Sequence, residues 1–154
     1  MQTHGLRGFN AVRGILFVAI LGLSAVAQAA DAQQVIVIGN DHGGGINTRA
    51  RIVDQIRAAR ARVEIRGDIC YSACTMYLGA GDVCVSPRTT FGFHGPTRNG
   101  RALDPAAAER WSAVMARYYP DPLRQWFMNT GRFSTTGVYQ ISGAEIMRYG
   151  YRAC

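Results

Sequence analysis

The stretch "GDICYSACTMYLGAG", Gly67 to Gly81, sets a serine between two cysteines and ahead of an apolar run closed by glycines. A hydroxyl at the first turn of a helix has two uses. It can cap the helix by accepting from a free backbone N–H, which is the reading that spacing alone favours. It can also attack a carbonyl, because the unsatisfied N–H groups and dipole of a helix start favour the negative charge that then forms. The second use needs a base. His94, in "FGFHGP", ends the next strand-like segment and is followed by a glycine and a proline that would expose it. Ser72 as nucleophile, His94 as base and the Ala73 amide as an oxyanion donor form one candidate site. A second donor would come from the "GGG" turn, at Gly43 to Gly45, beyond the first strand. The plainer alternatives stay open: His94, between Phe93 and Gly95, also reads as a core-edge histidine with a backbone partner, and His42 reads as a turn residue.

The same stretch carries two of four cysteines, Cys70, Cys74, Cys84 and Cys154. An even count in an exported chain implies disulfides, with three connectivities open to four cysteines. Cys70 and Cys74 lack the two-residue spacing of redox motifs, and no paired short repeat suggests a zinc ribbon. Neither a metal nor another cofactor is implied. Cys84, in the next strand, is expected to bridge to Cys70 or Cys74, with Cys154 tying the tail to the one left over.

Export itself is read from the start of the chain. His4, Arg7 and Arg13 precede the apolar run "GILFVAILGLSAV", and "AQA" at Ala27–Gln28–Ala29 supplies small residues for cleavage. That is the anatomy of a secretory signal peptide over residues 1–29, since the run is short of the roughly 20 residues a spanning helix needs. Residues 30–154 then suit one small domain, periplasmic or secreted. The formal charge is +7 and every basic residue is arginine. The arginines are scattered, without a basic stripe interleaved with aromatics, so they read as solvated surface. Export also argues against a nucleic-acid partner.

The elements that would position Ser72 and His94 follow from periodicity. "QQVIVIG" is a short β-branched run, read as a buried strand covered on both faces. After the turn "NDHGGG", Ile46, Ala50, Val53 and Ile56 recur at helical spacing, and "RVEIRG" alternates as a second strand. One βαβ unit with parallel strands results. Ser72 to Leu78 reads as a buried helix ended by "GAG", and "DVCVSP" and "TTFGFHG" as two further extended segments, repeating the unit. The remainder reads as helical. Asp104–Pro105 and Asp121–Pro122 each offer a cap followed by proline at the first helical position. The first of these helices is expected to reach Tyr119 and the second Gly131. "SGAE" has capping-box spacing before a last helix closed by Gly150. Trp111, Tyr118, Tyr119, Trp126 and Phe127 read as helix packing, with some free to line a groove. The fold class is α/β: repeated strand-turn-helix units, a mainly parallel sheet and a helical C-terminal part.

In order, "DHGG", "CYSACTMYLGAG", "VCVSP", "GFHGP" and "ISGAEIMRYGY" resemble the motif order of the ClpP/crotonase superfamily. The chain is similar to the Clp protease proteolytic subunit, and closer still to small exported bacterial members without an assigned role. The likeness runs from Val35 to Tyr151. The family pattern is "SPGG", a serine opening a buried helix that ends in "AG", then "CLP"-like and "IHQP"-like segments and a C-terminal "SAEEAxxYGL". The resemblance implies a ClpP-like repeated ββα fold, Ser72 as nucleophile, His94 as base and Gly43 and Ala73 as oxyanion amides. It also implies a homo-oligomer. Asp41–His42 replaces the family's "SP". The family's third catalytic member, an acid, would fall around Ser134 to Thr136, where no Asp or Glu stands. The N-terminal portion used for ring assembly and ATPase docking is much shorter, and no cytosolic ATPase partner is expected after export.

Three functions follow. The first is an exported serine hydrolase, a peptidase acting on a peptide or acyl substrate through Ser72 and His94. The second is a catalytically degenerate peptide- or acyl-binding protein of the periplasm on the same scaffold, motivated by the missing acid and the altered turn. The third is a disulfide-linked envelope module. Acyl-CoA chemistry, known in the crotonase branch, fits poorly with export away from the cytosolic coenzyme pool.

Overall fold

The computed structural model describes residues 32–134 and 136–154, so the expected signal peptide lies outside the described residues. The alternating run Val35–Ile38 forms β1, Ile46–Ala58 forms α1 and Arg62–Ile65 forms β2. β1 and β2 pair in parallel with Val35 opposite Arg62 and Ile38 opposite Ile65, as the strand-turn-helix-strand pattern requires. Val53 and Ile56 of α1 are buried in one core with Ile38, Val63 and Ile65. Val83–Val85 (β4) and Arg152–Ala153 (β9) extend this sheet in the order β1-β2-β4-β9, all parallel.

A second sheet positions the candidate site. Ile69–Tyr71 (β3), Thr90–Phe93 (β5) and Tyr139–Ser142 (β8) lie in the order β3-β5-β8. β3 and β5 are parallel, and β5 and β8 antiparallel. Thr97–Arg98 (β6) and Arg101–Ala102 (β7) make a separate hairpin. Pro105–Ala116 (α2), Asp121–Asn129 (α3) and Gly143–Ile146 (α4) complete the chain. Phe93 of β5 packs edge-on to Tyr119 and Trp126, at 5.7 and 5.3 Å between ring centroids, and Phe127 lies 5.1 Å from Tyr119. Such aromatic pairs add about 0.5–1.5 kcal/mol each beyond their buried area.

The caps expected from sequence are present at two places. Asp104 accepts from the Ala107 N–H at 2.9 Å ahead of Pro105. Ser142 and Glu145 form a reciprocal capping box, and Gly150 ends the following turn at φ 97°. The third is displaced by one residue: Pro120 occupies the cap position, and Asp121 becomes the first helical residue and pairs with Arg124. α2 also stops at Ala116 rather than Tyr119. The N–H groups of Tyr118 and Tyr119 bond the carbonyls of Met115 and Ala116 in turns as the chain approaches Pro120, whose ring disfavours helical backbone just before it.

Four larger expectations are corrected. β1 is not covered on both faces: it is an edge strand, and Val35 and Val37 are 49% and 58% exposed beside the polar Arg62 and Glu64. The C-terminal part is not only helical, because β8 and β9 return from it to both sheets. These strands, like β3, are two to four residues long, and segments so short owe their extension to their partners rather than to their own pattern. The second unit does not repeat the first within one sheet: β4 joins β2, whereas β5 joins β3. Finally, Cys84 bridges Cys154, and Cys70 bridges Cys74. Parallel pairing of β4 with β9 puts Cys84 opposite Arg152, and Cys154 N–H bonds the Val85 carbonyl, so the tail reaches Cys84 and no other cysteine.

Arg62 and Arg152 both pair with Asp82, joining the start of β4 to its neighbours on each side. The Arg62 hydrogen bond, ahead of the charge of Arg152, holds the Asp82 carboxyl below its ordinary value.

The two disulfides close loops of very different length, with sequence separations of 4 and 70. On the chain-entropy account the long one contributes about 4 kcal/mol and the short one about 2 kcal/mol. Replacing Cys84 and Cys154 together by serine is expected to lower unfolding stability about twice as much as replacing Cys70 and Cys74, as read by urea titration under oxidising conditions.

Candidate functional site

Three neighbouring backbones bring the site together. Asp41 lies parallel to β3 opposite Cys70, with Asp41 N–H bonded to the Ile69 carbonyl at 3.2 Å and Tyr71 N–H to the Asp41 carbonyl at 2.8 Å. Two residues further along both chains, Gly43 therefore falls beside Ser72. The contact is tight: a Cβ on Gly43 would stand 2.5 Å from Ser72 Cβ and 3.0 Å from Ser72 Oγ, and φ there is +105°. Only glycine fits. On the other side of β3, Tyr71 is opposite Gly92 of β5. Parallel strands about 4.8 Å apart point their C-terminal ends the same way, so Ser72 and His94 emerge at the same end of the sheet on adjacent strands. Both are half-buried.

Ser72 is held in an uncommon conformation. Its φ is +58°, a left-handed value that costs a non-glycine residue about 1–3 kcal/mol. The chain passes there from β3, with Tyr71 extended at φ −108° and ψ 154°, directly into a helical segment, Ser72–Gly79. That segment, read from its apolar run as a buried helix, is 3₁₀. Residues 73–78 are all buried, and burying Met76 and Leu78 alone offsets the strain at about 1.5–3 kcal/mol each. The Cys70–Cys74 bridge spans the junction. Thr75 Oγ1, fully buried, donates to the Ser72 carbonyl at 2.7 Å, and the Tyr119 hydroxyl lies 2.7 Å from the same oxygen. Thr75 spends its one proton on the carbonyl, so Tyr119 donates to Thr75. Burial pushes the Tyr119 phenol well above its ordinary pKa, which keeps that donor protonated.

The capping reading of Ser72 is not what the structure holds. No side chain caps the segment, and among the described residues the Ser72 hydroxyl makes no hydrogen bond. Ala73, the next residue, is fully buried at the segment's first turn, where backbone N–H groups have no partner within the helix.

His94 is oriented by its own neighbour. Its Nδ1 is 2.6 Å from the Gly95 carbonyl oxygen. A carbonyl only accepts, so Nδ1 is the donor in this contact and Nε2 is the nitrogen left for another partner. Gly95 is pressed against the 131–134 turn: a Cβ on it would stand 2.2 Å from the Arg132 carbonyl, and its N–H reaches the Ser134 carbonyl at 3.3 Å. The segment where the resemblance would place an acid thus abuts Gly95, next to His94, although it offers Ser134 and Thr136 and no carboxylate; Thr135 lies outside the described residues.

The glycine turn is tied down by a side chain of its own. Gly43 N–H is given to Asp41 Oδ1 at 2.7 Å, and Asp41 Oδ2 is bound by Arg49 at 2.6 Å. Arg49 also donates to the Gly43 carbonyl at 3.2 Å and stacks 4.3 Å over the Tyr77 ring. The Gly43 amide is therefore engaged in this arrangement, and Ala73 is the open donor beside Ser72. Asp41 and Arg49 are the residues that sequence reasoning missed; the departure from the "SP" pattern was the signal for Asp41. His42 is exposed and meets Tyr71 edge-on at 6.2 Å, as a turn residue would.

No protein-family model matches the sequence, and no curated protein matches it.

Thr75→Val keeps the volume but strips the Ser72 carbonyl and the Tyr119 hydroxyl of their shared partner. It is expected to cost about 1–3 kcal/mol, measured by thermal unfolding. Tyr119→Phe, which leaves Thr75 bonded to Ser72, is expected to cost about 1 kcal/mol or less.

Proposed function

We propose that this chain is an exported serine hydrolase, a peptidase of the Clp protease proteolytic-subunit type that works through an acyl-enzyme. The observation that carries the reading is Ser72: a half-buried serine held at positive φ on a strand-to-helix turn, with its hydroxyl unbonded among the described residues. Strained nucleophile turns of that kind expose a hydroxyl to a substrate. The two disulfides suit an oxidising compartment, and the periplasm is the compartment proposed.

The steps follow from the groups present. Ser72 Oγ attacks the substrate carbonyl carbon as its proton passes to His94 Nε2. The carbonyl oxygen becomes an oxyanion beside the Ala73 N–H. His94 returns the proton to the departing amine as the C–N bond breaks, and a water repeats the sequence on the ester. The Gly95 carbonyl fixes the His94 tautomer, the orienting part of the role an acid plays in a triad. It supplies no negative charge to stabilise the imidazolium, so the rate is low beside that of a full triad. A carbonyl oxygen entering the site competes with Asp41 for the Gly43 N–H.

The engaged Gly43 amide favours the second reading, a binding protein for peptides or acyl groups on the same scaffold. A fluorophosphonate probe separates the two. The hydrolase predicts labelling of the wild type, none of Ser72→Ala and a loss of about 10²–10⁴-fold in rate for His94→Ala. Equal labelling of wild type and Ser72→Ala, or none of either, rejects it. Asp41→Ala frees the Gly43 donor and is expected to speed labelling about tenfold, a conservative share of the 10²–10³ attributed to one oxyanion donor.

A further inference from the structure

The hairpin that follows His94 carries an unbalanced charge. Asn99 and Gly100 have φ of +51° and +74°, the left-handed pair of a two-residue type I′ turn. The turn sets Arg98 directly opposite Arg101, so both side chains stand on one face of the hairpin, where like charges repel. Among the described residues neither arginine is in an ion pair. Both line one cavity of about 590 Å³. Its one carboxylate, Asp104, already accepts from the Ala107 N–H.

That cavity shares two lining residues with another. Arg98 and Leu103 also line a recess of about 260 Å³ with Ile46 and Trp111 on its walls. Gly45 and Pro96 border it, each two residues beyond a member of the candidate site, Gly43 and His94. The two chain segments that leave the candidate site thus border this recess, where Ile46, Leu103 and Trp111 face Asn47, Thr48 and Thr97; Arg98 reaches both cavities and Arg101 lines the larger one. Among the described residues β6 is paired only to β7, which leaves its other edge for an extended backbone.

We propose that this groove binds an extended peptide, taking a bulky apolar side chain in the Ile46–Trp111 recess and a neighbouring acidic residue between Arg98 and Arg101. An acidic residue there relieves the repulsion between the guanidiniums and accepts charge-assisted hydrogen bonds from both. The inference deepens the hydrolase reading by naming the substrate class, and it rests on that reading.

Binding is read by fluorescence anisotropy on the full chain carrying Ser72→Ala, with a short dye-labelled peptide containing leucine and two glutamates. The same peptide with lysines replacing the glutamates is the control. The acidic peptide is expected to bind about tenfold or more tightly, the scale of one charge-assisted pair, and to lose that advantage in about 1 M salt. The double variant Arg98→Glu/Arg101→Glu is expected to reverse the preference, and Arg98→Gln/Arg101→Gln to abolish it. Equal affinity for the two peptides, or a preference unmoved in a double variant that retains the wild-type unfolding temperature, overturns the inference. So does arginine-dependent capture of phosphatidylglycerol vesicles with neither peptide bound, which would assign the pair to a lipid surface. Turnover plays no part in the binding readout. A Ser72 unreactive toward the probe therefore rejects the hydrolase alone, and equal peptide affinities reject the acidic subsite alone.

Discussion

The parallel pairing of Ile69–Tyr71 with Thr90–Phe93 is the constraint on which the site depends. An antiparallel arrangement would send Ser72 and His94 out of opposite ends of the sheet. In the parallel one the two residues follow strands that finish together, and Asp41 on the far side of Ile69–Tyr71 brings the glycine turn to the same end. The backbones that carry Ser72, His94 and the glycine turn then finish at one end of the sheet, although they are far apart in sequence.

The local strain at Ser72 is bearable because its surroundings over-determine it. The buried 3₁₀ segment behind it, the Cys70–Cys74 bridge across it and the Tyr119–Thr75 relay onto its carbonyl all act on the same turn. Each alone is worth a few kcal/mol at most, about the size of the strain. The orientation of His94 is obtained by simpler means, one backbone carbonyl and the aromatic packing of Phe93 behind it. On the hydrolase reading the weak point is the oxyanion side, where the Asp41 carboxylate occupies the Gly43 amide.

Much of the fold was legible where local chemistry decided the outcome. The first βαβ unit followed from β-branched residues and helical spacing, and two caps followed from Asp104–Pro105 and Ser142–Glu145. What escaped were elements defined by their partners. The strands Ile69–Tyr71, Tyr139–Ser142 and Arg152–Ala153 are too short to show a period of two, and the Cys84–Cys154 pairing depends on one of them. The hairpin at Thr97–Ala102 did carry its signal, the Asn99–Gly100 dipeptide, and was still passed over. In the candidate site Ser72 and His94 stood out by type and order. The burdened Gly43 amide and the Arg49 clamp did not, because a hydrogen bond between side chain and turn leaves no periodic trace.

The disulfide pattern bears on how the chain matures. Of the three ways to join four cysteines, the native one links the first to the second and the third to the fourth in order along the polypeptide. An oxidant meeting thiols as they emerge, one after another, would make the right bonds at once. On the export proposed above, Cys70 would be occupied before Cys84 appears, and Cys84 would have only Cys154 left to wait for. A pairing in sequence order lowers the demand for an enzyme that shuffles wrong bonds.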